Sequence, residues 1–294
     1  PNVDSSSAGP VYLSRNGQYL FISAVDNDVT FGAQGRVYVY EKSGGVWTEK
    51  QILDSPNPAA GERFGYNITT SNNGAHVLIG TGQHKFHYFQ LITGSWVHQQ
   101  TIEDHEAGPA SFGQSLDISS DGTVALVGNS TFNSSIGKAY IFTNTGGSPQ
   151  WTLTQEIDPP NPKANGKFGG SFVLSPDGTH AVIGQPDSTT PGGRAHAFAN
   201  VGGSPMWSET QEITPSVVQT NQVFGRGRMV MSSDGNTIIV AAAWKTSTGS
   251  PTATFVGAGY VFTYSGGVWT EQQILEPSDG ELFGFGIAGD QSAK

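Results

Sequence analysis

Short runs of β-branched and aliphatic residues recur along the chain, at 19–22, 76–79, 124–127, 180–183 and 237–240. Each follows a turn dipeptide: Asn16-Gly17, Asn73-Gly74, Asp121-Gly122, Asp177-Gly178 or Asp234-Gly235. Such pairs between apolar runs are strong hairpin signals, because both residues tolerate the positive φ of a type I′ turn. A Phe-Gly pair stands upstream of four of these turns, at Phe64-Gly65, Phe112-Gly113, Phe168-Gly169 and Phe224-Gly225. It returns once more at Phe283-Gly284, while the first copy carries Ser7-Ala8 instead.

Downstream of each apolar run comes a variable loop and then a strand read as basic–x–aromatic–x–aromatic. Its copies begin at Arg36, Lys85, Lys138 and Arg194, and the fifth keeps Tyr260 and Phe262 but has Ala258 at the basic position. A fourth strand has the tightest signature. Trp47, Trp96, Trp151, Trp207 and Trp269 are followed four residues later by Gln51, Gln100, Gln155, Gln211 and Gln273. Two further on stands Leu53, Ile102, Ile157, Ile213 or Leu275. On a regular strand, positions 0, +4 and +6 project from one face together.

Five copies of a four-stranded meander, each about 50–60 residues, predict an all-β fold, a β-propeller of four-stranded antiparallel blades. A lone four-stranded sheet cannot bury both faces, whereas sheets packed radially bury each other's. A single domain over 1–294 is expected, with repeats at 1–63, 64–111, 112–167, 168–223 and 224–282. The segment 283–294 is expected to return as a closing strand beside the first blade, giving five closed blades; continuation into a larger ring is the alternative.

The segments Phe112-Gly113-Gln114-Ser115-Leu116-Asp117-Ile118 through Gly122, and Tyr260 through Trp269 to Gln273, resemble the FG-GAP repeat of integrin-α-like propellers. The resemblance covers nearly the whole chain. It departs at the Gly-Ala-Pro after the second strand, where Gly184-Gln185-Pro186 is nearest, and the DxDxDG-type calcium loop of integrin propellers is missing. The resemblance implies a secreted or cell-surface protein with an adhesion, protein-binding or structural role.

Composition permits that reading. The 294 residues include 40 Gly and 16 Pro, and only 13% are charged. A net charge of −10 without a Lys/Arg cluster argues against nucleic acid, whose phosphates require concentrated positive charge. The apolar run near 238–244 is far too short to cross a membrane, so no membrane insertion is expected. No charged and then apolar leader opens the chain, so the expectation is that any secretory signal is already removed. With no cysteine, disulfides and thiolate chemistry are excluded.

Candidate chemistry is sparse. His87 and His196 occupy the place of Tyr38, Tyr140 and Tyr260 and read as packing residues; His98 aligns with Glu49, Glu209 and Glu271, an outward polar site. The turn aspartates read as caps of their own backbone. Asp26 and Asp28 flank Asn27 where integrin-like propellers hold calcium, but two carboxylates fall short of the roughly six to eight oxygens that ion takes. No cofactor or structural metal is therefore expected, with calcium there as the alternative. Asn67, Asn129 and Asn133 head Asn-x-Ser/Thr sequons; Asn67 should lie in a buried strand, which leaves Asn129 and Asn133 as glycosylation candidates on an exposed loop.

The loops joining second and third strands, 24–35, 81–84, 129–137, 185–193 and 241–257, share no sequence, so a composite surface is favoured over repeated sugar pockets. Trp244, on the longest loop, and Phe255 are the contact candidates. The expected function is a non-catalytic binding or assembly module, not an enzyme, engaging a protein or glycan ligand or neighbouring subunits. A lectin using these loops is the alternative. A hydrolase is the third possibility, and no nucleophile–base motif supports it.

Overall fold

The computed structural model describes residues 8–106, 111–147, 150–187, 192–202, 207–218, 222–243 and 257–277. Among them, strands form five four-stranded antiparallel sheets, each in chain order. The first sheet is β1 (Ala8–Leu13), β2 (Tyr19–Ala24), β3 (Arg36–Ser43) and β4 (Val46–Leu53). The second is β5 (Asn67–Thr70), β6 (His76–Gly80), β7 (Lys85–Ile92) and β8 (Ser95–Glu103). The third is β9 (Ser115–Ile118), β10 (Val124–Asn129), β11 (Lys138–Asn144) and β12 (Trp151–Ile157). The fourth is β13 (Phe172–Leu174), β14 (His180–Gln185), β15 (Arg194–Asn200) and β16 (Trp207–Ile213). The fifth is β17 (Val230–Met231), β18 (Thr237–Ala242), β19 (Ala258–Ser265) and β20 (Val268–Leu275). The expected closing strand 283–294, with Phe283-Gly284, lies outside the described residues, as do Trp244 and Phe255.

The chain divides into two compact units, Pro1–Gly128 with Ile141–Thr154, and Asn129–Tyr140 with Gln155–Lys294. The first holds the first two sheets, the second holds the last two, and the third sheet contributes residues to both. In the first unit, Tyr19, Phe21, Val39, Leu53, Phe64, Phe89 and Trp96 form one buried cluster. In the second, Ile213, Phe224, Met231, Tyr260, Phe262 and Trp269 belong to another. Middle strands such as β7 and β10 are buried over successive residues, hence on both faces. An isolated antiparallel sheet with one wet face would alternate instead.

Consecutive sheets are fastened by the Trp–Gln pair, in a geometry that corrects the expectation that the two side chains share a face. The register of the third and fourth strands skips one residue between the two positions: Val39 faces Gln51 and Tyr40 faces Glu49, leaving Lys50 as a β-bulge. The same skip falls at Gln99, Thr210 and Gln272. A bulge of one residue inverts the alternation beyond it. The tryptophan therefore points back to the preceding sheet and the glutamine forward to the next. Trp96 packs edge-on against Tyr19 and Phe21 of β2, with ring centroids 4.9 and 5.6 Å apart. Gln51 donates from Nε2 to the Trp96 carbonyl (2.7 Å) and accepts the Trp96 N–H at Oε1 (2.8 Å). The clamp recurs as Gln100 on Trp151, Gln155 on Trp207 and Gln211 on Trp269.

The turns also differ from the expected type. Gly17, Gly74, Gly122, Gly178 and Gly235 have positive φ, but the Asn or Asp before them does not. Its side chain works instead: Asp121 Oδ1 accepts from the Thr123 N–H at 3.0 Å and from the Ser119 hydroxyl at 2.6 Å. Ser119 Oγ in turn accepts the Val124 N–H at 3.0 Å. Ser14/Asn16, Ser71/Asn73, Ser175/Asp177 and Ser232/Asp234 repeat this arrangement.

A second link joins the glycine before the third strand to the next Phe-Gly. Gly35, Gly137 and Gly193 bridge to Phe64, Phe168 and Phe224. At Gly35 (φ +82°) a Cβ would stand 2.3 Å from the Phe64 carbonyl oxygen, so no other residue fits without moving backbone.

Two outcomes follow from these links. Gln155→Ala leaves the Trp207 N–H and C=O unpaired at a packed junction, and equilibrium denaturation should show a loss of roughly 1–3 kcal/mol. Gly35→Ala should cost roughly 1–3 kcal/mol more than Gly44→Ala in the same assay. Gly44 shares a positive φ (+57°) but would meet nothing within 4 Å, so the difference isolates the close approach.

Candidate functional site

The first aromatic position of the third strand pairs with one fourth-strand residue beyond the bulge and lies beside another before it, the partner of the second aromatic. In the second sheet these three places hold His87, His98 and Thr101, where the first has Tyr38, Glu49 and Ile52 and the fifth has Tyr260, Glu271 and Ile274. Here the packing position has become chemical. His87 is 1% exposed, and its Nδ1 lies 3.0 Å from the Thr101 hydroxyl. Its Nε2 lies 3.3 Å from Oε1 of Glu62, which is fully buried. His98 and Thr101 are half-buried, and His98 Nε2 stands 3.1 Å from the same Thr101 oxygen.

Glu62 sits in the segment leading to Phe64 and gathers donors from three directions. Lys85 Nζ lies 2.9 Å away, the Ser55 hydroxyl donates at 2.8 Å, and the Ala59 N–H donates to the other carboxylate oxygen at 3.0 Å. Burial alone would raise its pKa. The bonds from His87, Lys85 and Ser55, with the Lys85 charge, outweigh burial and hold the carboxyl at about 2. Burial lowers His87 despite the pull of Glu62, so the ring is held neutral. His98 is lowered by burial and then by its neighbour His87.

The donor inventory fixes the hydrogens. A carboxylate only accepts, so His87 carries its hydrogen on Nε2 and presents a bare Nδ1 to the Thr101 hydroxyl. Carboxylate, imidazole and hydroxyl in hydrogen-bonded sequence make an arrangement that can take a proton from the hydroxyl as it attacks an acyl carbon.

The fourth sheet offers an instructive contrast. His196 is fully buried, but its Nδ1 faces Glu209 at 2.6 Å and its Nε2 faces Gln185 Oε1 at 2.8 Å. Gln185 Nε2 donates to the Asn161 carbonyl, which fixes the amide's orientation. Both ring nitrogens meet acceptors and no hydroxyl is in line, so this histidine is structural.

The residues singled out from the sequence fare differently. Asp28 Oδ1 accepts the Ala33 N–H at 2.5 Å, while Asp26 pairs with Arg63 Nε at 3.1 Å. The two carboxylates thus serve different partners. Asn129 corrects the expectation of exposure: it ends β10 and is 1% exposed, too enclosed to carry a glycan. Asn133 is exposed, in a turn whose residues Asn133, Ser134 and Ser135 all have positive φ. Trp244 and Phe255 lie outside the described residues. Sequence reasoning assigned His87 to packing and His98 to an outward polar site and missed their conjunction. The available signal was weak: His98 stands among Glu49, Leu153, Glu209 and Glu271, but His87 shares its place with His196, and the equivalents of Thr101 are Ile52, Glu156, Glu212 and Ile274.

No family model and no curated protein matches the chain. Among solved structures, the periplasmic gluconolactonase of Pseudomonas aeruginosa is similar over 92% of this chain and 72% of its own, with a TM-score of 0.60 and 13% identity. A Bacteroides fragilis protein assigned as a 6-phosphogluconolactonase is similar over 94% and 71%, with a TM-score of 0.58 and 16% identity. A chain of the mitotic checkpoint complex is similar over 95% and 68%, with a TM-score of 0.59 and 12% identity. These likenesses establish the β-propeller fold. Two of the three proteins are named as lactonases, which overturns the expectation of a non-catalytic adhesion or assembly module and gives the lectin alternative no better footing. That expectation rested on the FG-GAP resemblance and on finding no nucleophile–base motif along the chain; the fold brings Glu62, His87 and Thr101 into hydrogen-bonded sequence although no motif spacing marks them.

The Glu62 cluster makes stability pH-dependent in a stated direction. Its folded pKa lies below the ordinary 4.5, so the unfolded chain binds more protons between pH 4.5 and about 2. Stability from this group is complete above pH 4.5 and is lost as pH falls through that window. Glu62→Gln should flatten this acid limb in urea titrations. At neutral pH it should cost roughly 3–5 kcal/mol, as for removing one partner of a buried ion pair.

Proposed function

We propose that the protein is a hydrolase that opens cyclic esters of the sugar-lactone class. The observation that carries the reading is the hydrogen-bonded sequence from Glu62 through His87 to the half-buried Thr101 hydroxyl. The lactonase names among its structural neighbours supply the substrate class. In this mechanism the Thr101 oxygen attacks the lactone carbonyl as His87 Nδ1 takes its proton. Glu62 stabilises the imidazolium that forms, the ring ester bond breaks, and water then releases the acyl group from Thr101. Because burial lowers His87, the neutral base persists below the ordinary imidazole value of 6.5, and the acid limb of activity should fall there.

The proposal extends to location and repeat type. An extracytoplasmic site is supported by the periplasmic origin of one neighbour, and among the described residues no helix is long and apolar enough to cross a membrane. An FG-GAP-type repeat is supported by the recurring Phe-Gly pairs.

The test is acid release from a sugar δ-lactone, followed at constant pH against the buffer rate. The wild-type protein should exceed the blank, and Thr101→Val and His87→Gln should each lose roughly 10²–10⁴-fold. A wild-type rate equal to the blank would exclude the assignment.

A further inference from the structure

Thr101 has one hydrogen to donate and two imidazole nitrogens beside it, His87 Nδ1 at 3.0 Å and His98 Nε2 at 3.1 Å. The first is a bare acceptor, because the other nitrogen of that ring is committed to Glu62. The hydroxyl hydrogen therefore goes to His87, and His98 Nε2 presents its own hydrogen to the threonine oxygen. The rings are 5.7 Å apart, and they differ in access: His87 is 1% exposed whereas His98 is half-buried on the outermost strand. The equivalents of His98 are Glu49, Leu153, Glu209 and Glu271, so an imidazole stands at this position in the second sheet alone.

We infer that His98 is a second catalytic imidazole, which exchanges protons between solvent and the substrate's oxygens while His87 serves only the Thr101 oxygen. The inference rests on the lactone-opening reading. In the first half-reaction the Thr101 Oγ–acyl bond forms and its proton passes to His87 Nδ1. The lactone C–O bond breaks, and the leaving alkoxide takes the hydrogen of His98 Nε2 as His98 Nδ1 gains one from water. In the second, water attacks the acyl carbon and gives a proton to the now bare His98 Nε2. The Thr101 oxygen leaves with the proton held on His87, and His98 returns the Nδ1 proton to solvent. One solvent proton enters and one departs, so each cycle consumes lactone and water and yields the hydroxy acid.

The division of labour has a leaving-group signature. Nitrophenolate needs no proton to depart, whereas a sugar alkoxide does. With p-nitrophenyl acetate, His98→Gln should keep the first-turnover burst and the acetyl mass on Thr101, which also reports an intact fold. Its steady-state opening of a sugar lactone should fall about 10²-fold, the lower end for general acid–base catalysis. Added imidazole should restore that turnover in His98→Ala, whose site is open to solvent, and should not restore it in His87→Ala. Lactone turnover in His98→Gln equal to wild type overturns the inference while leaving lactone opening intact, as does loss of the burst together with turnover. A wild-type protein that opens no lactone fails at the underlying reading instead.

Discussion

A glutamine amide that leaves one sheet and takes both backbone groups of a tryptophan in the next is the interaction on which the arrangement of sheets depends. An amide side chain is suited to it, since it carries a donor and an acceptor side by side and so mimics one step of a β-ladder. Gln51, Gln100, Gln155 and Gln211 each do this where fourth strands have no ladder partner on their outer side. For Gln51, Gln100 and Gln211 the clamp works only because the bulge at Lys50, Gln99 or Thr210 turns the strand over between tryptophan and glutamine. Without that extra residue both side chains would face one neighbour, and each sheet could be fastened on a single side. The same inversion sends Leu53 forward into the cluster that contains Trp96, so apolar packing and the polar clamp fall at one junction.

Much of this was legible in the sequence. The strands start where the turn dipeptides and apolar runs place them, and the spacing of Trp, Gln and the aliphatic residue marks every fourth strand. What the spacing could not show was the bulge, because a period of two and a period of two with one insertion differ only in which face a residue takes. The turns were located correctly but assigned the wrong backbone: Asn16 and Asp121 act through side-chain oxygens, and only the following glycine adopts positive φ. Asn129 was misplaced because the loop was drawn one residue too early, although that residue still belongs to β10.

The candidate site was harder to read for a related reason. Alignment to the repeat assigns each residue the role of its equivalents, and those of His87 are three tyrosines and the structural His196. Its actual role depends on Glu62, 25 residues upstream in the connection between sheets, where the repeat has no fixed composition. A carboxylate in a linker, an imidazole on a third strand and a hydroxyl on a fourth have no motif spacing to betray them. Only His98, among Glu49, Leu153, Glu209 and Glu271, departs from every equivalent in kind.

The two buried histidines at the same place in the repeat differ in the order of their partners. In the fourth sheet the carboxylate stands on the solvent side, at Glu209, and an amide oxygen stands within, so each ring nitrogen is consumed by an acceptor. In the second sheet the carboxylate stands within and the hydroxyl outside. Reversing that order leaves one nitrogen bare and aims it at a proton that can leave. Placing the acid inside is expensive, since Glu62 has no exposed surface, and Lys85, Ser55 and the Ala59 N–H are the groups that offset its desolvation. The imidazole itself is not diagnostic, since tyrosine fills its place in three sheets and the structural His196 in a fourth; the buried carboxylate on its inner nitrogen distinguishes the second sheet. That order, carboxylate within and hydroxyl outside, is what leaves the outer ring nitrogen of His87 free to accept from Thr101.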